Sequence, residues 1–169
     1  DTITCDENGY GESKELYLGS YTLEQAGIPR YYAGINEQPE ALVEKKNGED
    51  PPIHEIDTEK TKITLKLSDE LYQQPLSGAV FTVTNGTTGV SQTVETDQNG
   101  QILLTDLDKN TSYKIRQQQT IEDYQLDPIE YTEDVDAYGR INGENQAEMD
   151  LTNRMLRTSV HGTDMILRK

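Results

Sequence analysis

Apolar and polar residues alternate along much of this chain with a period of two. Lys62-Ile63-Thr64-Leu65-Lys66-Leu67 does so, as does Ala79-Val80-Phe81-Thr82-Val83-Thr84. Successive side chains of a strand point to opposite faces, so these segments are predicted to be half-buried strands. Between such segments stand Asn8-Gly9, Asn47-Gly48, Asn85-Gly86, Asn99-Gly100 and Asn142-Gly143. Asn-Gly is a strong hairpin cue, because both residues tolerate positive φ. No stretch holds a long helical period. Residues 21–26 come nearest, but Pro29 and a strand-like counterpart at Tyr113 argue against a helix. Turn signals about every 8 to 15 residues predict an all-β sandwich.

The pattern is also repeated. Asp6-Glu7-Asn8-Gly9 is followed by Leu18-Gly19-Ser20-Tyr21 and then by Gln25, Pro29 and Tyr32. Asp97-Gln98-Asn99-Gly100 is followed by Tyr113, Gln117 and Tyr124. In both copies a glutamine lies four residues after the first tyrosine and another tyrosine eleven residues after it. A spacing shared so closely implies two copies of one structural unit. A third signal follows, since Arg157-Thr158-Ser159-Val160-His161-Gly162-Thr163-Asp164 resembles Lys62 through Asp69. Residues 44–59 read either as a linker or as a hairpin with a closing strand, and the second reading puts a boundary near Glu59. The expected organisation is therefore the back part of a first repeat (1–59) and a complete second repeat (60–155). Residues 156–169 would open a third repeat or complete the first.

Composition sharpens this picture. The 169 residues suit one large or two small domains, and only 33% are apolar, with ten Tyr, one Phe and no Trp. With a mean hydropathy of −0.80 the chain reads as thin-cored β-structure with much exposed surface. A formal net charge of −16 argues against nucleic acid or an anionic membrane as partner. Cys5 is the only cysteine, so no intrachain disulfide can form, and it has no His-Asp constellation beside it. No apolar run approaches a membrane span, and no signal peptide or sorting motif is present. A single cysteine suits a cytosolic protein as well as a surface protein stabilised by other means; if the protein is secreted, these features and an opening in mid-pattern at Thr2-Ile3-Thr4 read as an internal piece of a longer chain.

Leu76-Ser77-Gly78-Ala79-Val80-Phe81, Thr96-Asp97-Gln98-Asn99-Gly100, Tyr113 through Tyr124 (more loosely) and Leu151-Thr152-Asn153 follow the order of one known pattern, and Leu18 through Pro29 and Tyr32 match its tyrosine element in the first copy. They resemble the SpaA-type, or CnaB-type, prealbumin-like repeat of Gram-positive pilins and surface adhesins. The resemblance implies tandem prealbumin-like, immunoglobulin-like β-sandwich modules. It also implies a candidate autocatalytic isopeptide pair, Lys66 and Asn153. In that chemistry a neutral amine attacks an amide carbonyl while a buried carboxyl, its pKa raised by desolvation, relays the proton. Here the carboxyl position holds Gln117, and Gln25 in the first copy. An amide cannot exchange that proton at neutral pH, so the crosslink is expected to be missing. Both glutamines are expected to be buried and hydrogen-bonded, since they share a strand face with Tyr21, Leu23, Tyr113 and Ile115; Glu24 falls on the opposite face. At the next module's lysine position stands His161, and the first module's close offers Asp57 or Glu59 in place of Asn.

One rival motif competes. Asp134, Asp136 and Asn142, with Gly139 and Ile141, resemble a calcium loop, but Tyr138 and Asn145 stand where ligands belong and the flanks are strand-like. A polar hairpin between the last two strands is the preferred expectation. His54 and His161 have no companion at zinc-ligand spacing. No cofactor is expected. The function expected is a non-catalytic stalk module, extracellular on the wall of a Gram-positive cell, whose partners are neighbouring repeats. The alternative is an adhesin module binding a host protein or glycan through its loops. Tyr10, Tyr17, Tyr31, Tyr32 and Tyr72 supply aromatic contacts for the alternative if they prove clustered and exposed.

Overall fold

The computed structural model describes residues 1–35, 40–44 and 58–157. Asn47-Gly48, His54, Asp57 and the repeat signal from Thr158 onward, His161 included, lie outside the described residues. The chain divides into two compact units, one made of Asp1–Ile28 and Gly34–Thr58, the other of Pro29–Ala33 and Glu59–Lys169.

Among the described residues the structure is all β, as the period-two pattern predicts. In the first unit β1 (Gly19–Thr22) pairs antiparallel with β2 (Glu40–Val43). The second unit holds β3 (Lys62–Asp69), β4 (Val80–Asn85), β5 (Ser91–Glu95), β6 (Gln101–Leu104), β7 (Thr111–Gln119), β8 (Glu130–Val135) and β9 (Gln146–Asn153). These form a three-stranded sheet in the order β6-β3-β9 and a four-stranded sheet in the order β5-β4-β7-β8. The first and last strands, β3 and β9, are parallel neighbours; β3–β6 and the pairs of the larger sheet are antiparallel.

Alternation decides what fills the space between the sheets. Ile63, Leu65, Leu67 and Asp69 of β3 are buried while Lys62, Thr64, Lys66 and Ser68 face outward. Phe81 and Val83 of β4, Ile102 and Leu104 of β6, Tyr113 and Ile115 of β7 and Leu151 of β9 complete the central packing. Thr96 ties two sequence motifs together: its hydroxyl donates to the Leu76 carbonyl at 2.7 Å and accepts from the Ala79 N–H at 3.0 Å. The Leu76–Phe81 element and the Thr96-Asp97 element are thus two sides of one corner.

The corners share one device. At Asp6, Asp97 and Asp136 the carboxylate Oδ1 accepts the backbone N–H two and four residues on, at 2.8 to 3.0 Å. A glycine three residues on takes positive φ each time: Gly9 at 81°, Gly100 at 72° and Gly139 at 73°. Two sequence expectations are corrected by this. Asn8-Gly9 and Asn99-Gly100 are not two-residue hairpins, because the aspartate two residues before each asparagine organises the loop. The segment after β8 is no hairpin between the last two strands either, since β8 and β9 belong to different sheets. The Asp136 corner crosses between sheets, followed by a separate Asn142-Gly143 turn. There φ is 54° and 88°, and Ile141 and Glu144 exchange both backbone hydrogen bonds, as a tight two-residue turn requires.

The first unit repeats part of the second in register. Gly19↔Val43, Ser20↔Leu42, Tyr21↔Ala41 and Thr22↔Glu40 in β1–β2 correspond to Thr111↔Val135, Ser112↔Asp134, Tyr113↔Glu133 and Lys114↔Thr132 in β7–β8. Every residue is displaced as Tyr21 is from Tyr113.

Gly100 gives a direct test. It is buried at positive φ, and a Cβ there would collide with the Leu67 carbonyl and come within 3.0 Å of the Leu76 nitrogen. Gly100→Ala is expected to destabilise the second unit by about 2–4 kcal/mol, read by chemical denaturation. An unchanged midpoint would show that the corner yields freely.

Candidate functional site

The residues singled out for chemistry are distributed by strand parity. Thr111, Tyr113, Ile115 and Gln117 of β7 point inward, whereas Lys114, Arg116 and Gln118 are exposed. Gln117 is therefore carried into the core at the end of the inward row, 2% exposed. On the facing sheet Leu151 and Asn153 are the inward residues closing β9, and Asn153 is 1% exposed. The two amides meet across the sandwich. Gln117 Nε2 donates to Asn153 Oδ1 at 2.7 Å, and Asn153 Nδ2 donates to Gln117 Oε1 at 2.9 Å. The remaining acceptor capacity is used as well: Asp127 N–H donates to Gln117 Oε1 at 2.9 Å and Thr120 Oγ1 to Asn153 Oδ1 at 3.0 Å. Each amide oxygen thus accepts two hydrogen bonds, which removes the cost of burying it.

Gln25 makes the corresponding contact in the first unit. Its Oε1 accepts the Ile35 N–H at 3.0 Å, the same residue displacement from which Gln117 accepts Asp127. Gln25 is half-buried, less enclosed than the fully buried position expected of it, and it lies beyond the end of β1. Glu24 is exposed, on the opposite face as expected.

Lys66 is elsewhere. It occupies an outward position of β3, registered with Asp150 of β9, and its Nζ lies 2.6 Å from Glu148 Oε2. The hydrogen bond to Glu148 raises the Lys66 pKa above the ordinary lysine value, so the amine is held protonated and non-nucleophilic. Lys66 and Asn153, paired by motif, are placed on opposite faces of their sheet. The physical reason is that Leu65 and Leu67 both take core positions, which turns the residue between them outward. None of the described lysines is buried.

A carboxylate that motif reasoning passed over does sit beside Asn153. Asp69 registers with Asn153 in the parallel ladder and is 1% exposed. Its Oδ1 accepts the N–H of Leu71 at 2.8 Å and of Tyr72 at 2.5 Å. The Tyr72 N–H is the main reason its pKa lies below the ordinary carboxylate value, with burial opposing. Oδ2 makes no hydrogen bond among the described residues, although the Tyr124 hydroxyl lies near enough to favour the ionised form. The signal for Asp69 was the parity of β3 itself, which continues Ile63, Leu65, Leu67 into position 69. Held ionised, Asp69 is a turn cap and a hydrogen-bond acceptor, not a proton donor.

The calcium-like residues are apportioned to other work. Asp136 Oδ1 is occupied by the Tyr138 and Arg140 N–H groups, Asp134 is exposed in β8, and Asn142 occupies the Asn-Gly turn. Among the described residues no group of three or more His, Cys, Asp or Glu is arranged to hold a metal. Cys5 is exposed.

The model of the family described as "SpaA: Prealbumin-like fold domain" matches residues 61–147, more than half of the chain. The chain belongs to this family. Among solved structures it is similar to the Bacillus anthracis TIE protein, with a TM-score of 0.50, 18% identity, and coverage of 91% of this chain and 28% of that one. It is also similar to the C-terminal fragment of pilus adhesin SpaC from Lactobacillus rhamnosus GG, with a TM-score of 0.51 and 16% identity. That alignment covers 85% of this chain and 61% of the fragment. The chain thus spans less than two thirds of either structure, and at these identities the likeness is one of fold. Comparison with curated proteins gives no match.

The amide pair generates a prediction. Gln117→Leu or Asn153→Leu alone leaves the partner amide short of a hydrogen bond in the core, at a cost of about 1–3 kcal/mol each. The double substitution is expected to cost less than the two combined, because it removes both orphaned groups. A double-mutant cycle by denaturation reads the coupling, and strict additivity would show that the pair does not act as a unit.

Proposed function

We propose that this SpaA-family chain is a load-bearing stalk segment of a Gram-positive cell-wall-anchored surface protein or pilin. Its modules are set in tandem to project an adhesive region from the cell surface. One observation carries the reading. The first and last strands of the second unit, β3 and β9, run parallel and side by side through eight registered pairs, from Lys62↔Gln146 to Asp69↔Asn153. The chain therefore joins this ladder at one end and leaves it at the other, about 26 Å away for eight residues of strand. Tension along the chain loads the ladder in shear, so its hydrogen bonds must give way together. A ladder peeled from one end loses them one at a time.

The module bears this load without a covalent clasp. The outward, Glu148-paired Lys66 and the neutral Gln117 supply neither a free amine nor a proton relay at Asn153. The reading assigns the chain no turnover and no cofactor; its partners are neighbouring modules of the same fold. Its acidic surface suits an exposed extracellular protein. In the adhesin alternative, loops would bind a host protein or glycan, and one of the similar structures is a fragment of a pilus adhesin. Of the tyrosines singled out for that alternative, Tyr10, Tyr17 and Tyr72 are exposed and Tyr31 and Tyr32 half-buried; within the second unit the exposed aromatics are spread apart, which favours the stalk. Tyr72 follows the C-terminal end of β3 and Tyr138 precedes β9, so the parallel ladder sets them at opposite ends of the sandwich.

Two measurements test the reading. Intact mass is expected to equal the sequence mass; a deficit of one ammonia would reveal an amide crosslink and overturn the uncrosslinked stalk. In single-molecule pulling, unit 2 is expected to resist more force through its chain ends than through handles at Lys62 and Gln146, which peel the ladder. Equal forces in the two geometries would remove the mechanical basis of the proposal.

A further inference from the structure

Two turns of this chain are built alike, and only one of them is covered. In the first, Tyr32 N–H donates to the Pro29 carbonyl at 3.2 Å and Tyr31 takes a φ of 70°. Ala33 N–H then donates to Glu59 O, and Thr61 N–H to Tyr31 O, both at 2.9 Å. In the second, Tyr124 N–H donates to the Ile121 carbonyl at 3.3 Å and Asp123 takes a φ of 68°. Gln125 N–H donates to Arg154 O at 2.8 Å and Leu156 N–H to Asp123 O at 2.7 Å. The isolated bridges match too, Tyr32↔Lys60 in one and Tyr124↔Met155 in the other.

Their surroundings differ. The first turn belongs to the second unit and is packed into it: Ala33 is 5% exposed and Thr61 0%. The Thr61 hydroxyl donates to the Gly139 carbonyl at 2.5 Å, and a Cβ at Gly139 would collide with the Tyr32 carbonyl. Cations ring this contact and meet acids, Arg30 with Asp108 at 2.9 Å and Lys60 with Asp106 at 2.8 Å. In the second turn the counterparts of Ala33 and Thr61 are Gln125 and Leu156, both exposed, Leu156 at 59%. Glu122 replaces Arg30 and Met155 replaces Lys60. Beyond it, the sequence of residues 157–164 resembles that of 62–69.

We infer that residues 121–125 and 154–156 form a docking face for a following module of the same fold, whose loop equivalent to 106–108 is basic or apolar, not acidic. The inference rests on the stalk reading and adds a rule of order to it. The occupant follows from the covered turn, where the module downstream of the turn supplies the Gly139 corner and the charged loop. The charge follows from Glu122: a plain copy of unit 2 would set Asp108 against it, where the first turn sets Asp108 against Arg30. Like charges at a docking face oppose association, and complementary ones fix the partner. Modules of this kind are then not interchangeable along the array.

The test uses the chain with Cys5→Ser and Gln125→Cys, which puts a thiol where the first turn has its buried Ala33. Residues 1–156 are continued directly by a second copy of 62–157, either unchanged or carrying Asp106→Asn and Asp108→Lys. Circular dichroism and a cooperative melting transition verify that the added copy folds. Thiol alkylation at position 125 is expected to slow by about tenfold or more with the lysine-bearing copy, relative to the unextended chain, and not with the unchanged copy. Glu122→Arg in the first copy is expected to restore protection by the unchanged one. Equal protection by both copies, or none by either folded copy, would overturn the inference. The stalk reading is judged separately, on the pulling geometry of unit 2, so the two can fail independently.

Discussion

The parallel pairing of β3 with β9 is the constraint on which the rest of the second unit depends. Neighbours in sequence often pair in space, but here the two ends of the sandwich are brought together. That pairing completes the three-stranded sheet and sets Asp69 beside Asn153. It also places the points of entry and exit at opposite ends of the module. Parallel ladders have evenly spaced, slanted hydrogen bonds and no short connection to enforce them. The register must therefore come from side chains, and the inward rows Ile63, Leu65, Leu67 and Ala147, Met149, Leu151 supply it. A slip of one residue would turn one of the two rows to solvent.

At the end of those rows the interior becomes polar: Asp69 caps a turn there as a carboxylate, and the pair that joins the two sheets is neutral. Gln117 and Asn153 join the two sheets through reciprocal amide hydrogen bonds. A buried ion pair in the same place would have to offset the desolvation of two charges. The amides avoid that cost, and the extra donors Thr120 and Asp127 complete the network. Farther along the same sheet, Asn85 accepts from Thr87, Thr88 and Thr111 while Asp108 N–H donates to the Tyr113 hydroxyl at 2.6 Å. A core with a single phenylalanine and no tryptophan thus relies on satisfied polar groups at its margins to supplement its apolar centre.

The three aspartate corners show how an acidic chain can use its charge structurally. Each carboxylate gathers two backbone N–H groups that would otherwise need water, and in Asp6 these bonds hold the pKa below the ordinary value. The same local chemistry explains why residues 134–142 imitate a cation-binding loop. Spaced oxygens around a positive-φ glycine serve a turn as readily as they serve a metal, and the backbone donors of the corner already occupy Asp136 Oδ1.

How much of this was legible beforehand depends on the range of the interaction involved. Period-two alternation determined the strands, their inward faces and the burial of Gln117, because the pleat leaves each side chain only two directions. The repeated tyrosine and glutamine spacing raised the expectation of two copies of one unit, and β1–β2 and β7–β8 pair with registers that match at that same displacement. Alternation also held the evidence against Lys66, which lies between two core leucines; motif position alone suggested otherwise. What only the tertiary structure decided was which distant groups meet. That Asn153 finds Gln117, that Asp69 stands beside it, and that β8 and β9 part into separate sheets follow from strand order and packing between sheets. Local sequence cannot encode these contacts, because each is made by residues far apart in the chain and held by the whole sandwich.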